Sequence, residues 1–136
     1  MATDYTPIIG VRQQFGNEPG VFAPGEQNVP FVGATKKYQF SCPNVDPGIE
    51  AVLMFQTRGV TTNKNIFQIN GQEIFGGLPV SPNDNEWNGN IMLVSKNVLK
   101  ATGNVLHIEA RNSSGTSSGN LDDFIIDNVV VLYKTR

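Results

Sequence analysis

A two-residue alternation of apolar and polar side chains constrains the fold of this chain more than any other feature. Successive side chains of a strand point to opposite faces, whereas a helix repeats its apolar positions every three or four residues. In 105–111, Leu106, Ile108 and Ala110 alternate with polar or charged neighbours, and 37–42 alternates in the same way. The pattern therefore predicts β-strands and no amphipathic helix.

Further strand signals divide the middle of the chain. The run 49–55 is almost continuously apolar, which is typical of a strand covered on both faces. The runs 65–69 and 72–75 flank Asn70-Gly71, a dipeptide suited to a type I′ turn because both central residues need positive φ. We therefore predict a hairpin at this point.

The last apolar run, 123–134, is the longest and is rich in β-branched residues. Its alternation breaks at Asp127-Asn128, which predicts a β-bulge that resets the two faces. The run 96–100 is expected to form one helical turn.

Proline and glycine interrupt residues 1–35, which we interpret as irregular segments and edge strands. Residues 36–136 then form the main sandwich. Because 136 residues suit one domain, we expect 1–136 to be a single all-β unit, an antiparallel β-sandwich.

Charge and hydropathy exclude several partner classes. Ten Lys and Arg residues against twelve Asp and Glu residues give a net charge of −2, which argues against nucleic acid and anionic membranes as partners. No stretch is apolar for long enough to predict membrane insertion. The first residues lack the charged and apolar regions of a secretory signal, so location stays open between cytoplasm, non-classical export and a leaderless piece.

Catalytic signatures are weak in this sequence. Cys42 and His107 are the only cysteine and the only histidine, so the sequence allows no internal disulfide, no two-histidine metal site and no thiolate-rich zinc site. No spacing indicates that two carboxylates converge as an acid–base pair. We therefore expect a non-enzymatic protein.

From residue 51 to residue 133 the order of features resembles the galactose-binding-domain-like jelly-roll family. The resemblance is carried by Arg58-Gly59-Val60, the 65–74 hairpin, Trp87 in a polar loop, and the segments 94–100, 103–110 and 123–133. It implies a jelly-roll β-sandwich and, for function, a carbohydrate-binding domain of the lectin or binding-module kind.

Trp87 is the leading candidate for contact with a sugar. Its indole face would stack on a pyranose ring while neighbouring polar side chains bind the hydroxyls. The candidate ligand-binding residues are Trp87, Asn83, Asp84, Asn85, Glu86, Asn88 and Arg58. The alternative is that Trp87 packs against the sandwich and caps its core.

Asp122 and Asp123 follow a polar loop over 112–120 and supply hard oxygen ligands, so a calcium site is one hypothesis for them. The alternative is that both carboxylates bond local backbone amides before the last strand.

Two functions remain open. The first is recognition of a carbohydrate or glycoconjugate through the Trp87 loop. The second is a structural or protein-interaction subunit of a homo-oligomer or larger assembly, favoured by the low charge and the long apolar last strand.

Overall fold

Strands account for the regular structure of this chain, as the alternation predicts. The computed structural model describes residues 1–22, 26, 28–74 and 77–136. Its strands are β1 (Thr3–Ile9), β2 (Gln13–Phe15), β3 (Phe31–Gly33), β4 (Thr35–Phe40), β5 (Ala51–Arg58), β6 (Ile66–Ile69), β7 (Gln72–Glu73), β8 (Asn88–Val94), β9 (Asn104–Glu109) and β10 (Phe124–Lys134). The described part of the chain contains no helix, and nothing in it has the length and helical apolar character needed to cross a membrane.

The strands form two sheets. The six-stranded sheet has the order β3-β2-β10-β5-β8, with β1 paired to the second half of β10, and the four-stranded sheet has the order β4-β9-β6-β7. All these pairs are antiparallel except β2 with β3, which the sequence did not predict. The architecture is therefore an all-β fold of two largely antiparallel sheets, consistent with a β-sandwich.

The core lies between the inner faces of the two sheets. The rings of Phe55 on β5 and Phe67 on β6 meet with centroids 4.9 Å apart, which joins the sheets near their centre. The rings of Phe15 and Phe124 stack at 5.4 Å near one end. Burial of such side chains removes apolar area from water and supplies most of the stabilisation.

The two predicted backbone irregularities are confirmed. Asn70 and Gly71 have φ of 52° and 78° and join β6 to β7 in a two-residue turn. The pairing of β10 with β5 shifts register between Asp127 and Val130, where Asn128 has φ of 51°. Strand β7 ends at Glu73, and Phe75, which closes the predicted strand, lies outside the described residues.

The predicted helical turn over 96–100 is wrong. Residues 96 and 97 form a turn in which Asn97 has φ of 64°, and the backbone N–H of Asn97 donates to the carbonyl of Pro47 at 2.7 Å. Left-handed backbone at this point is incompatible with continuing a right-handed helix.

Strand β5 also differs from its sequence prediction. Its inner residues Ala51, Leu53, Phe55 and Thr57 are buried, as expected for a core strand. On the opposite face, however, Met54 is 41% exposed, so the described chain leaves this part of the second face uncovered.

Candidate functional site: the outer face of the six-stranded sheet

Strand pairing aligns apolar side chains in two rows across the outer face of the six-stranded sheet. Residues directly opposite each other on neighbouring strands share a face, so the register identifies the members of each row. The first row, across β1, β10, β5 and β8, is Tyr5, Leu132, Val52 and Leu93. The second row, on the same four strands, is Pro7, Val130, Met54 and Ile91. These eight residues are called the apolar face below.

Solvent reaches much of the apolar face. Ile91 is 70% exposed, Tyr5 64% and Leu93 50%, whereas the members on β10 are half-buried. Single exposed apolar residues are common on protein surfaces, but a contiguous patch rimmed by polar groups marks an interaction or ligand site. The apolar face is such a patch.

Five members of the apolar face, Tyr5, Met54, Ile91, Val130 and Leu132, line an open groove of about 700 Å³. The amides of Gln56 and Asn128 line it together with the apolar residues, and among its described lining residues none is charged. The Nδ2 of Asn128 donates to the Oε1 of Gln56 at 2.7 Å. Asn90 lies opposite Phe55, and its Nδ2 donates to the hydroxyl of the buried Thr57 at 3.2 Å, so its side chain is on the inner side of the sheet. One side of the groove is therefore bordered by two neutral amides.

The other end of the same outer face is covered by the chain itself. Glu26 accepts hydrogen bonds at Oε1 from the indole Nε1 of Trp87 at 2.9 Å and from the Nη1 of Arg58 at 3.0 Å. Its Oε2 accepts from the Nη1 of Arg12 at 2.7 Å, and the Nε of Arg12 donates to Asp127 at 3.1 Å. These contacts tie Arg12 and Glu26 to β10, to β5 and to the residue before β8.

Charge in this cluster is balanced by close pairing. Burial alone would raise the pKa of the Glu26 carboxyl, but hydrogen bonds from Trp87, Arg12 and Arg58 outweigh it and hold that pKa below its usual value. The hydrogen bonds to Glu26 and Asp127 raise the pKa of Arg12. Glu26 and Arg12 therefore stay ionised at neutral pH.

Trp87 is half-buried within this cluster. Its N–H is taken by Glu26, and the guanidinium carbon of Arg12 lies 4.8 Å from the centre of its ring, within the range of a cation–π contact. One ring face and the only polar atom of the indole are thus used inside the chain, which favours the packing alternative for this residue.

The other predicted ligand residues are not gathered around the indole, except for Arg58. Asn83, Asp84, Asn85 and Glu86 are exposed on the loop before β8, where the Oδ1 of Asn83 accepts from the backbone N–H of Asn85. Asn88 is half-buried at the start of β8. These loop side chains line neither the groove nor the polar pocket described below, and their role in ligand binding stays a prediction.

Asp122 is buried and holds the loop that follows β5. Its carboxylate accepts from the backbone N–H and hydroxyl of Thr61, from the N–H of Thr62 and from the Nδ2 of Asn65 at 2.8 Å. Burial raises the pKa of this carboxyl, and the hydrogen bonds partly oppose the rise. The group is a loop anchor with both oxygens occupied.

Asp123 anchors a different loop. Its Oδ1 accepts from the backbone N–H groups of Asn17 and Glu18, both at 3.0 Å, and burial raises its pKa as well. Because Asp122 bonds the loop after β5 and Asp123 bonds 17–18, the two carboxylates do not converge. No group of three or more His, Cys, Asp or Glu residues is placed to hold a metal ion in the described part of the chain. The donor set fits calcium poorly.

A separate polar pocket of about 340 Å³ lies beside Asp122, between the loops that follow β5 and β9. Thr61, Thr62, Ser113, Ser114, Asn120 and Arg111 line it, so hydroxyl and amide groups predominate. The Nη1 of Arg111 donates to the carbonyl of Gly115 at 3.0 Å, which fixes one wall. The pocket offers hydrogen-bond donors and acceptors to a small polar ligand.

Comparisons of this chain with protein-family models, curated proteins and solved structures found no match. The apolar face is the candidate site with the largest exposed apolar side chains, and the sequence did not predict it. One signal for it was available, since β5 is apolar on both faces and 91–94 is an uninterrupted apolar run. The contribution of Tyr5 carried no such signal.

Proposed function

We propose that this protein is a non-enzymatic interaction module that docks onto another protein surface through the apolar face. The observation that carries the proposal is the pair of uncharged apolar rows across four strands, with Ile91, Tyr5 and Leu93 at least half exposed. Removing such a surface from water favours association in proportion to the area covered.

The non-catalytic part of the proposal is supported by the carboxyl groups. Asp122 and Asp123 have raised pKa values, a property common among catalytic acids, but each is engaged by backbone amides of a neighbouring loop. A group held in this way serves the stability of the loop rather than proton transfer to a substrate.

Site-specific photo-crosslinking tests the docking function. A benzophenone amino acid is introduced in place of Tyr5, and in place of Val80 as a control, in the cells that produce the protein. Val80 is 49% exposed but lies outside the apolar face. We expect discrete protein adducts from position 5 only. An absence of adducts, or equal adducts from both positions, would contradict the proposal.

Carbohydrate binding is the second candidate function, and the hydroxyl- and amide-rich pocket beside Asp122 favours it. Its volume is near the lower end for small-molecule sites. A glycan array and calorimetry test it with the wild type, with Ser114→Trp, which would fill the pocket, and with Asn85→Ala on the Trp87 loop. Loss of binding in only one variant assigns the site, and no binding by the wild type refutes this function.

We also propose a finer description of the fold. The order of sequence features, together with two largely antiparallel sheets, supports a jelly roll of the galactose-binding-domain-like family. A crystal structure with a different strand connectivity would overturn that membership.

A further inference from the structure

We infer that the partner of the apolar face is a second copy of this chain, packed sheet against sheet about a two-fold axis. This inference rests on the proposed docking function and names its occupant. The described groove-lining residues are uncharged, so two copies meet there without like-charge repulsion. Isologous two-fold contacts, in which one patch meets itself, are the commonest arrangement of soluble oligomers.

The rim of the groove is also self-complementary. A carboxamide carries both donors and an acceptor, so Gln56 and Asn128 can pair with the same residues of a second copy. Carboxylates or ammonium groups at these positions would instead select a partner of opposite charge. The two neutral amides are therefore compatible with self-association.

The dimensions of the face indicate how strong the dimer would be. Four adjacent strands and three rows of side chains, two apolar and one amide, span roughly 20 by 20 Å, or about 400 Å² of flat area per copy. Side-chain relief increases the accessible area, so two copies would bury about 1,000 Å², near the lower limit of a specific interface. We therefore expect a reversible dimer with a dissociation constant on the order of 10 µM.

The free edge of the sheet offers a rival way for two copies to associate. Strand β8 ends the strand order, and its seven residues, NGNIMLV, include no charge and no proline. Charged residues and proline usually protect edge strands against uncontrolled pairing, so edge-to-edge pairing through β8 is the alternative that the test must separate. Packing of a second copy on Ile91 and Leu93 would cover the outer side chains of β8 but leave its edge N–H and C=O groups free.

Sedimentation of the purified chain from about 5 to 500 µM tests the inference. We expect the mass to rise from 14.8 kDa toward twice that value in the wild type. Leu93→Asp should raise the dissociation constant at least tenfold, whereas Val80→Asp, at a matched exposure of 49% against 50%, should leave it unchanged. Circular dichroism and urea unfolding verify that each variant is folded.

Tyr5→Asp separates face packing from edge pairing, because Tyr5 lies on β1, on the far side of β10 and β5 from the free edge of β8. Weakening by both aspartate variants supports the face-to-face dimer. Weakening by Leu93→Asp alone, a monomeric wild type throughout the range, or assemblies that grow beyond two copies would each overturn it. If the wild type is monomeric but position 5 still forms adducts with a different protein, the second copy is refuted as the partner and the proposed docking function is retained.

Discussion

Replacing Glu26 with glutamine removes the negative charge that holds the covered end of the outer face together, while preserving the shape of the side chain. The amide oxygen can still accept from Trp87 and Arg58. The amide nitrogen, however, would face the guanidinium of Arg12, and two donors cannot bond each other. The variant therefore loses one charge-assisted hydrogen bond and leaves Arg58 without an anionic partner.

The size of the effect follows from the exposure of the three side chains. Breaking a buried ion pair by removing one partner costs about 3–5 kcal/mol, whereas an exposed pair is worth about 0–1 kcal/mol. Glu26 is 5% exposed and Arg58 17%, which is close to the buried case, but Arg12 is 48% exposed and keeps Asp127. We expect the free energy of unfolding to fall by about 2–3 kcal/mol at pH 7.

The dependence on pH has a definite sign. The pKa of Glu26 in the folded protein lies below its ordinary value of 4.5, so the unfolded state binds the proton more tightly. The stability that the carboxylate contributes is present above pH 4.5 and is lost as the pH falls through the folded-state pKa. The difference between wild type and Glu26→Gln should therefore narrow in acid.

Urea unfolding, followed by circular dichroism and by the fluorescence of the single tryptophan, measures both effects. Glu86→Gln on the exposed loop before β8 is the matched control and should lie within about 0.5 kcal/mol of the wild type. Two results would contradict the role given to Glu26. The first is a free energy of unfolding of Glu26→Gln within about 0.5 kcal/mol of the wild type at pH 7. The second is a difference in free energy of unfolding that does not decrease in acid.

Three further outcomes are expected. Gly16→Ala should lower the free energy of unfolding, measured in urea, by about 3 kcal/mol or more, because the new Cβ would lie 2.9 Å from the Cα of Asp123 at a φ of +128°. Gly71→Ala has open space around the new Cβ and should lower it by only about 1 kcal/mol. Asp122→Ala should lower the free energy of unfolding by about 2 kcal/mol, because it leaves buried N–H donors without an acceptor. Millimolar calcium should not raise the melting temperature of the wild type, and a calcium-dependent rise would support the calcium hypothesis. Burial raises the pKa of the Cys42 thiol to about 11, so a disulfide reagent at pH 8 should label it only after unfolding, and rapid native labelling would contradict its burial.

Local patterns predicted the strands after residue 35 and two of their irregularities correctly, but they did not locate β1, β2 and β3. The alternation of 105–111 places Leu106, Ile108 and Ala110 in the core, as expected. Asn70-Gly71 forms the predicted turn, because few other dipeptides accept positive φ at both positions. The prediction of a helical turn at 96–100 was wrong, because the positive φ of Asn97 and its hydrogen bond to Pro47 depend on a contact distant in sequence.

The candidate site shows where local patterns stop being sufficient. The sequence places Trp87 in a polar loop and leaves both sugar contact and packing open, whereas in the structure Glu26 accepts from its N–H and Arg12 lies over its ring. No spacing in the chain links those three residues. Asp122 and Asp123 are adjacent in the sequence, yet their carboxylates serve different loops.

By itself the sequence determined that the chain is built from strands, where one hairpin turns and where the last strand is interrupted, because these properties depend on residues a few positions apart. Only the tertiary structure decided whether the outer face of a strand such as β5 is covered. Tyr5 and Leu93 come to lie in one row through the pairing of β1, β10, β5 and β8, and burial is a property of that assembled surface rather than of any one strand.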